Sequence, residues 1–182
     1  MVHNHHAGCN CAEEAKQSDT TGDDLFPCID FGEVECFNEE VTDSILKVIR
    51  PLDDRLAFRK DASLSVKADL DTELVVKIRF NSEVKVKAVR VAGGPDGCSP
   101  NKMRVYKNEE NVDFDIISDK RPLHEVSLAE DFLGELEYAL PLNKFNNCNN
   151  IVLGFVGNFN GDTTLINFIG LKGQYLRDKS KA

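Results

Sequence analysis

Apolar and polar residues alternate with a period of two through much of this chain. Leu74, Val76, Ile78 and Phe80 share one face of an extended segment, and Glu73, Val75, Lys77 and Arg79 share the other. Asn81-Ser82-Glu83 is a cluster of turn-forming residues, after which Val84-Lys85-Val86-Lys87-Ala88 resumes the alternation. The pattern predicts two antiparallel strands joined by a short loop. From Ala88 the apolar phase slips onto Val89 and Val91, which predicts a β-bulge or a strand passing between faces. Gly93-Gly94-Pro95-Asp96-Gly97 predicts a turn, and Met103–Lys107 a further short strand. Leu136, Tyr138 and Leu140 alternate with Glu135, Glu137 and Ala139. Ile151–Val156 is apolar on both faces, as a central strand would be, and Leu165–Leu171 forms the last strand.

A helical stripe shows only at Val41, Ile45, Val48 and Ile49, and Pro51 ends it. Many short strands separated by turns predict an all-β fold, a jelly-roll β-sandwich of two packed antiparallel sheets. Residues 1–24 are polar, with His and Cys followed by acids, and cannot bury enough surface to offset their ordering entropy. They are read as a disordered tail, residues 25–175 as one domain, and residues 176–182 as a short basic tail.

Charge narrows the choice of partner. The 182 residues carry 22 Lys and Arg against 31 Asp and Glu, a net charge of -9. Such a chain lacks the dense positive field that nucleic acid or an acidic membrane surface requires, which leaves protein partners with basic patches. No apolar run is long enough to span a bilayer, no secretory h-region opens the chain, and no Asn-x-Ser/Thr sequon occurs. A reducing compartment is expected, the cytoplasm with diffusion into the nucleus, where the cysteines serve as small buried hydrophobes or inert thiols.

Three groupings could carry chemistry. His3, His5 and His6 with Cys9 and Cys11 offer ligands that Zn²⁺ and Cu⁺ prefer, but no second cluster follows at zinc-finger spacing. A tail that chelates opportunistically is the favoured reading, and no metal or cofactor is expected. Asp69-x-Asp71-x-Glu73 could hold Ca²⁺, yet the EF-hand pattern fails because its sixth and twelfth positions are Leu74 and Phe80. Nucleophilic catalysis would need His124, which follows Arg121-Pro122-Leu123 in a segment read as loop, and no Cys-x-x-Cys or Gly-x-Ser-x-Gly is present. The chain is read as a non-enzyme. The asparagines from Asn143 to Asn160 predict tight turns flanking a strand, with a polar recognition edge as the alternative.

The ordered series of segments resembles the PITH domain family. Cys28-Ile29-Asp30 and Cys36-Phe37-Asn38-Glu39 are similar to its opening, although Phe37 replaces the usual Leu. Asp69-Leu70-Asp71-Thr72-Glu73-Leu74 resembles its acidic element, with Thr72 where an acid is usual. Pro100–Asn108, Gly134–Tyr138 and Lys144–Cys148 continue the likeness. Asn158–Thr164 and Ile169-Gly170-Leu171-Lys172-Gly173 are its most specific parts. The His-rich, Cys-x-Cys amino terminus resembles members that stand alone, without a thioredoxin module. The resemblance implies a galactose-binding-domain-like jelly roll and association with the proteasome regulatory particle, by a domain expected to be monomeric. Candidate binding residues on the resembling motifs are Asn38, Glu39, Asp69, Asp71, Glu73, Asn158, Asn160 and Asp162. Two other functions remain open, binding of a carbohydrate or small polar ligand, and a metal or thiol-redox role of the His/Cys tail.

Overall fold

The computed structural model describes residues 20–176, so the proposed ligands His3, His5, His6, Cys9 and Cys11 lie outside the described residues. The fold is built on one strand. β4 runs without interruption over Leu74–Gly93, 20 residues, and its two halves take different neighbours. Leu74–Arg79 pairs with β8 (Cys148–Phe155) and β2 (Glu35–Phe37). Val84–Gly93 pairs with β9 (Leu165–Tyr175), and Ala88-Val89 with β7 (Tyr138–Ala139). β5 (Lys102–Lys107) and the edge strand β6 (His124–Ser127) extend the first sheet beyond β8. β1 (Asp23–Asp24) and β3 (Val66–Lys67) flank β9 in the second. All these pairings are antiparallel, so one continuous ladder folds over itself into a galactose-binding-like jelly roll.

The apolar pattern explains the packing. Leu74, Val76, Ile78 and Phe80 from the first half of β4 meet Val84, Val86, Val89 and Val91 from the second in a single core. Ile151, Leu153, Phe155, Ile166, Ile169 and Leu171 complete it. Each such side chain contributes roughly 1.5–3 kcal/mol on burial. The expected phase slip is a bulge between Val86 and Ala88 in the β4–β9 ladder. Ile151 to Phe155 is buried on both faces because a second cluster covers the outer side of the first sheet. There Val75, Tyr106 and Val152 pack under Ile116 and Ile117 of α2 (Ile116–Asp119).

Several local expectations change. Asn81-Ser82-Glu83 does not end a strand; the backbone stays extended while β4 passes from one sheet to the other, so its halves face rather than pair. Val41 is 64% exposed and outside the single-turn helix α1 (Ile45–Val48). The Glu39 carboxylate fixes that start by accepting from the Asp43 and Ile45 N–H groups and the Ser44 hydroxyl. Leu136 is exposed because its N–H donates to the Asp131 carboxylate and is lost to any ladder. His124 opens β6 instead of lying in a loop. Asp23–Asp24, assigned by composition to the tail, pairs with Lys172 and Gly173.

Candidate functional site

Both ends of β4 return to one rim of the sandwich. At its start the Thr164 hydroxyl donates to the Thr72 carbonyl at 2.7 Å, and past its end the Gly94 N–H donates to the Leu165 carbonyl at 2.9 Å. The loops 38–43, 68–73, 93–99 and 158–164 therefore meet, and all eight candidate binding residues stand on them.

Asn38 organises the first half of the rim. Its backbone takes a φ of 74°, the left-handed region that Asn tolerates better than most residues. Its side-chain amide donates to the Asp71 carboxylate at 2.9 Å and the Glu73 carbonyl at 2.8 Å, and its side-chain oxygen accepts from the Leu70 N–H. The Asp71 carboxylate accepts again from the Glu73 N–H at 2.8 Å. Burial, and then the charge of Asp71, pushes the Glu73 carboxyl above its usual range. Asp69 is exposed, and its N–H donates to the Asn38 carbonyl at 2.9 Å. Glu39 is committed to capping α1. Thr72, where an acid is usual in the resembling family, enters the network through its carbonyl, which any residue supplies.

The second half follows the same principle. The Asn158 amide donates to the Gly161 and Thr163 carbonyls, and its own carbonyl accepts from Asn101 at 2.8 Å. Asn160 takes a φ of 68°, and the N–H groups of Phe159 and Gly161 both donate to the Gly97 carbonyl. Thr163 joins the halves by donating to the Ala68 carbonyl at 2.8 Å. Asn160 and Asp162 are exposed. The asparagine-rich run is thus turn chemistry, with the Asn158 amide satisfied internally and Asn160 setting the backbone. Replacing Asn38 by alanine should cost about 1–2 kcal/mol, since Asp71 and the part-buried Glu73 carbonyl lose a donor, the Leu70 N–H loses an acceptor, and alanine tolerates the positive φ less well than asparagine. Asn38→Gly, which relieves only the backbone, should cost less; urea unfolding of both variants measures the difference.

Among the described residues no group of three or more His, Cys, Asp and Glu side chains is placed to hold a metal ion. The Asp69-x-Asp71-x-Glu73 series does not converge, because Asp71 is taken up by Asn38. Burial, then Lys144, lowers the pKa of the half-buried His124 imidazole. Cys28, Cys36, Cys98 and Cys148 are free thiols. Burial pushes Cys148 up to about 11, and burial together with Glu39 pushes Cys36 higher still. At pH 8 only about a thousandth of Cys148 would be thiolate. Alkylation of the native protein should therefore spare Cys36 and Cys148, whereas unfolded protein reacts at both, as peptide mass spectrometry would show.

The residues the sequence did not single out are the apolar ones. Leu70 is 87% exposed at the tip of the loop that Asn38 holds, and Phe159 is 36% exposed in the facing loop. The Asp-Leu-Asp setting of Leu70 was the available signal, an apolar residue in a segment with no inward face. Beside the rim a cleft of about 450 Å³ opens between α1 and β3, lined by Val41, Thr42, Lys47, Ser63, Ser65 and Lys67 among others.

Residues 15–182 match the sequence profile of the PITH domain. The chain belongs to the PITH family. The PITH domain-containing protein 1 of Dictyostelium discoideum is 38% identical over 151 residues, covering 83% of this chain and 73% of that protein. Its namesake in Homo sapiens is 34% identical over 181 residues, covering 96% and 83%. Solved structures of similar shape include CBM32 domains. A GH31 CBM32-2 domain bound to GalNAc has a TM-score of 0.53 at 11% identity, covering 80% of this chain and 99% of that one. The paired CBM32 domains of Clostridium perfringens ZmpB give 0.56 at 10% identity, covering 93% and 40%. At such identities the likeness concerns the fold alone. The PITH rim thus sits on a galactose-binding-like jelly roll.

Proposed function

We propose that this PITH domain is a non-catalytic docking module that attaches to the proteasome regulatory particle through the rim. The observation that carries the docking reading is the division of labour there. Its polar side chains are largely consumed in hydrogen bonds within the domain, and its apolar tips, Leu70 above all, face solvent. Rigid loops presenting apolar side chains suit a protein surface, where a few such anchors carry most of the affinity. The regulatory particle as partner comes from what the family's name implies, and the net charge of -9 favours basic patches on it. This reading places a monomeric domain in the cytoplasm and the nucleus.

Carbohydrate binding, which the CBM32 likeness brings to mind, draws less support. The chain has no Trp; of its three tyrosines, Tyr106 is buried and Tyr138 bonds the Ala129 N–H. The Asn38 and Asn158 amides, which could meet sugar hydroxyls, already have partners. Co-sedimentation with purified 26S proteasome tests the docking reading. Wild-type protein should bind, and Leu70→Asp should weaken binding about tenfold, the effect of losing one interfacial anchor. Absence of wild-type binding at physiological salt would sink the partner; equal binding by the variant would remove the rim from the contact.

A further inference from the structure

A second surface lies away from the rim apex. Residues 130–137 read Glu-Asp-Phe-Leu-Gly-Glu-Leu-Glu and run from the Gly93 end of β4 across the outer face of the second sheet to β7. Phe132, Leu133 and Leu136 are 46%, 36% and 46% exposed, an unusual density of large apolar side chains in a loop.

The loop is built, with its backbone tied down at Asp131, Leu133, Gly134, Glu135 and Leu136. The Asp131 carboxylate accepts from the Leu133 N–H at 3.2 Å and the Leu136 N–H at 2.8 Å, and the Asp131 carbonyl accepts from Gly93 at 2.9 Å. Arg90 donates to the Gly134 carbonyl at 2.8 Å and the Glu135 carbonyl at 3.3 Å. Gly134 has a φ of 66°, and a β-carbon there would meet the Phe168 ring at 3.0 Å, so the loop sits directly on the sheet. Glu137 anchors the end through Lys172 at 2.7 Å and Arg90 at 3.9 Å. Polar groups have been used to fix a backbone whose apolar side chains point into water. That arrangement costs solvation in the free domain and reduces the ordering cost of any partner contact.

Charge selects the occupant. Glu130 and Glu135 stand on either side of Phe132 and Leu133, with Leu136 next to Glu135; both are exposed and neither carboxylate is paired with a described residue. An anionic bilayer would be repelled, and a second copy of this surface would set like charges against each other. We propose that residues 130–137 dock a basic amphipathic helix of a partner protein, with apolar side chains on Phe132, Leu133 and Leu136 and with Lys or Arg beside Glu130 and Glu135. This stands independently of the rim and of the proteasome as partner.

The test is a titration of isotope-labelled domain with a synthetic Leu/Lys amphipathic peptide, a Leu/Glu counterpart and neutral phosphatidylcholine vesicles, read by amide chemical shifts. The expected result is saturable shifts confined to residues 130–137 with the Leu/Lys peptide alone. Phe132→Ser with Leu136→Ser should weaken binding at least about tenfold. Glu130→Lys with Glu135→Lys should transfer the preference to the Leu/Glu peptide, which keeps the test independent of how the first variant folds. The proposal is overturned by an absence of shifts, by shifts centred elsewhere, by equal response to the Leu/Glu peptide or vesicles, or by self-association through this loop.

Discussion

Replacing Arg50 by methionine should lower the unfolding free energy by about 3 kcal/mol, although Arg50 belongs to no proposed binding surface. Its side chain lies where α1, the turns after Pro51 and β9 meet, with a relative exposure of 9%. There the guanidinium donates to the carbonyls of Lys47 at 2.8 Å, Asp54 at 3.1 Å, Arg55 at 3.0 Å and Asn167 at 2.9 Å. It also stands 5.5 Å from the centroid of the Phe168 ring. Burial lowers its pKa, an effect that the charge of Asp54 opposes. Methionine would keep the volume and leave these carbonyls without a donor in a place water reaches poorly. Lysine would restore charge but not the planar fork, so Arg50→Lys should recover only part of the loss. Urea unfolding followed by circular dichroism measures both; a loss below about 1 kcal/mol for Arg50→Met would mean that the carbonyls rehydrate at little cost.

Arg50 also marks where sequence reading stops. The period-two run from Leu74 to Phe80, the bulge near Ala88 and the doubly buried Ile151–Phe155 segment were legible because burial writes itself into the pattern of apolar residues. Partner choice leaves no such trace. Asn81-Ser82-Glu83 looks like the loop of a hairpin, but the backbone stays within one strand there and each half of β4 binds another strand. What decides this is the availability of β8 and β9, which lie far along the chain. Val41 and Leu136 were misplaced for a related reason, since Glu39 and Asp131 take up the backbone N–H groups that the regular element would need. The candidate residues on the rim were found through motif resemblance, and their meeting at one end of the sandwich could not be read from spacing. The sequence also drew attention to polar side chains at strand ends. Most of those turn out to shape the loops, whereas Leu70 and Phe132, which face solvent, had looked like ordinary apolar content.

Gly173→Ala should be more damaging than any substitution on the rim, with a loss exceeding about 3 kcal/mol or failure to fold. Gly173 closes Ile169-Gly170-Leu171-Lys172-Gly173, one of the two segments that resemble the family most specifically, and a functional role there would be easy to assume. Its position gives a different reason for glycine. On one side it pairs with Val86 beside the β4 bulge, on the other with Asp23 of β1. A β-carbon would lie 1.9 Å from the Lys85 carbonyl oxygen and 3.0 Å from a Leu25 methyl. The obstacle is backbone in the middle of the longest strand, held by neighbours on both sides, so it cannot rotate away as a side chain could. Gly32→Ala is the matched control: there the nearest atom is an Asp30 side-chain oxygen at 3.4 Å, and the loss should stay under about 1 kcal/mol. Thermal unfolding of the two variants decides the matter. A mild effect of Gly173→Ala would show that β4 and β9 can part at the bulge without cost, and would reopen a functional explanation for the glycine. A severe one would mean that even a stretch the chain shares specifically with the family reports how its two sheets are locked together, and that evidence for what the domain binds must come from the exposed apolar loops.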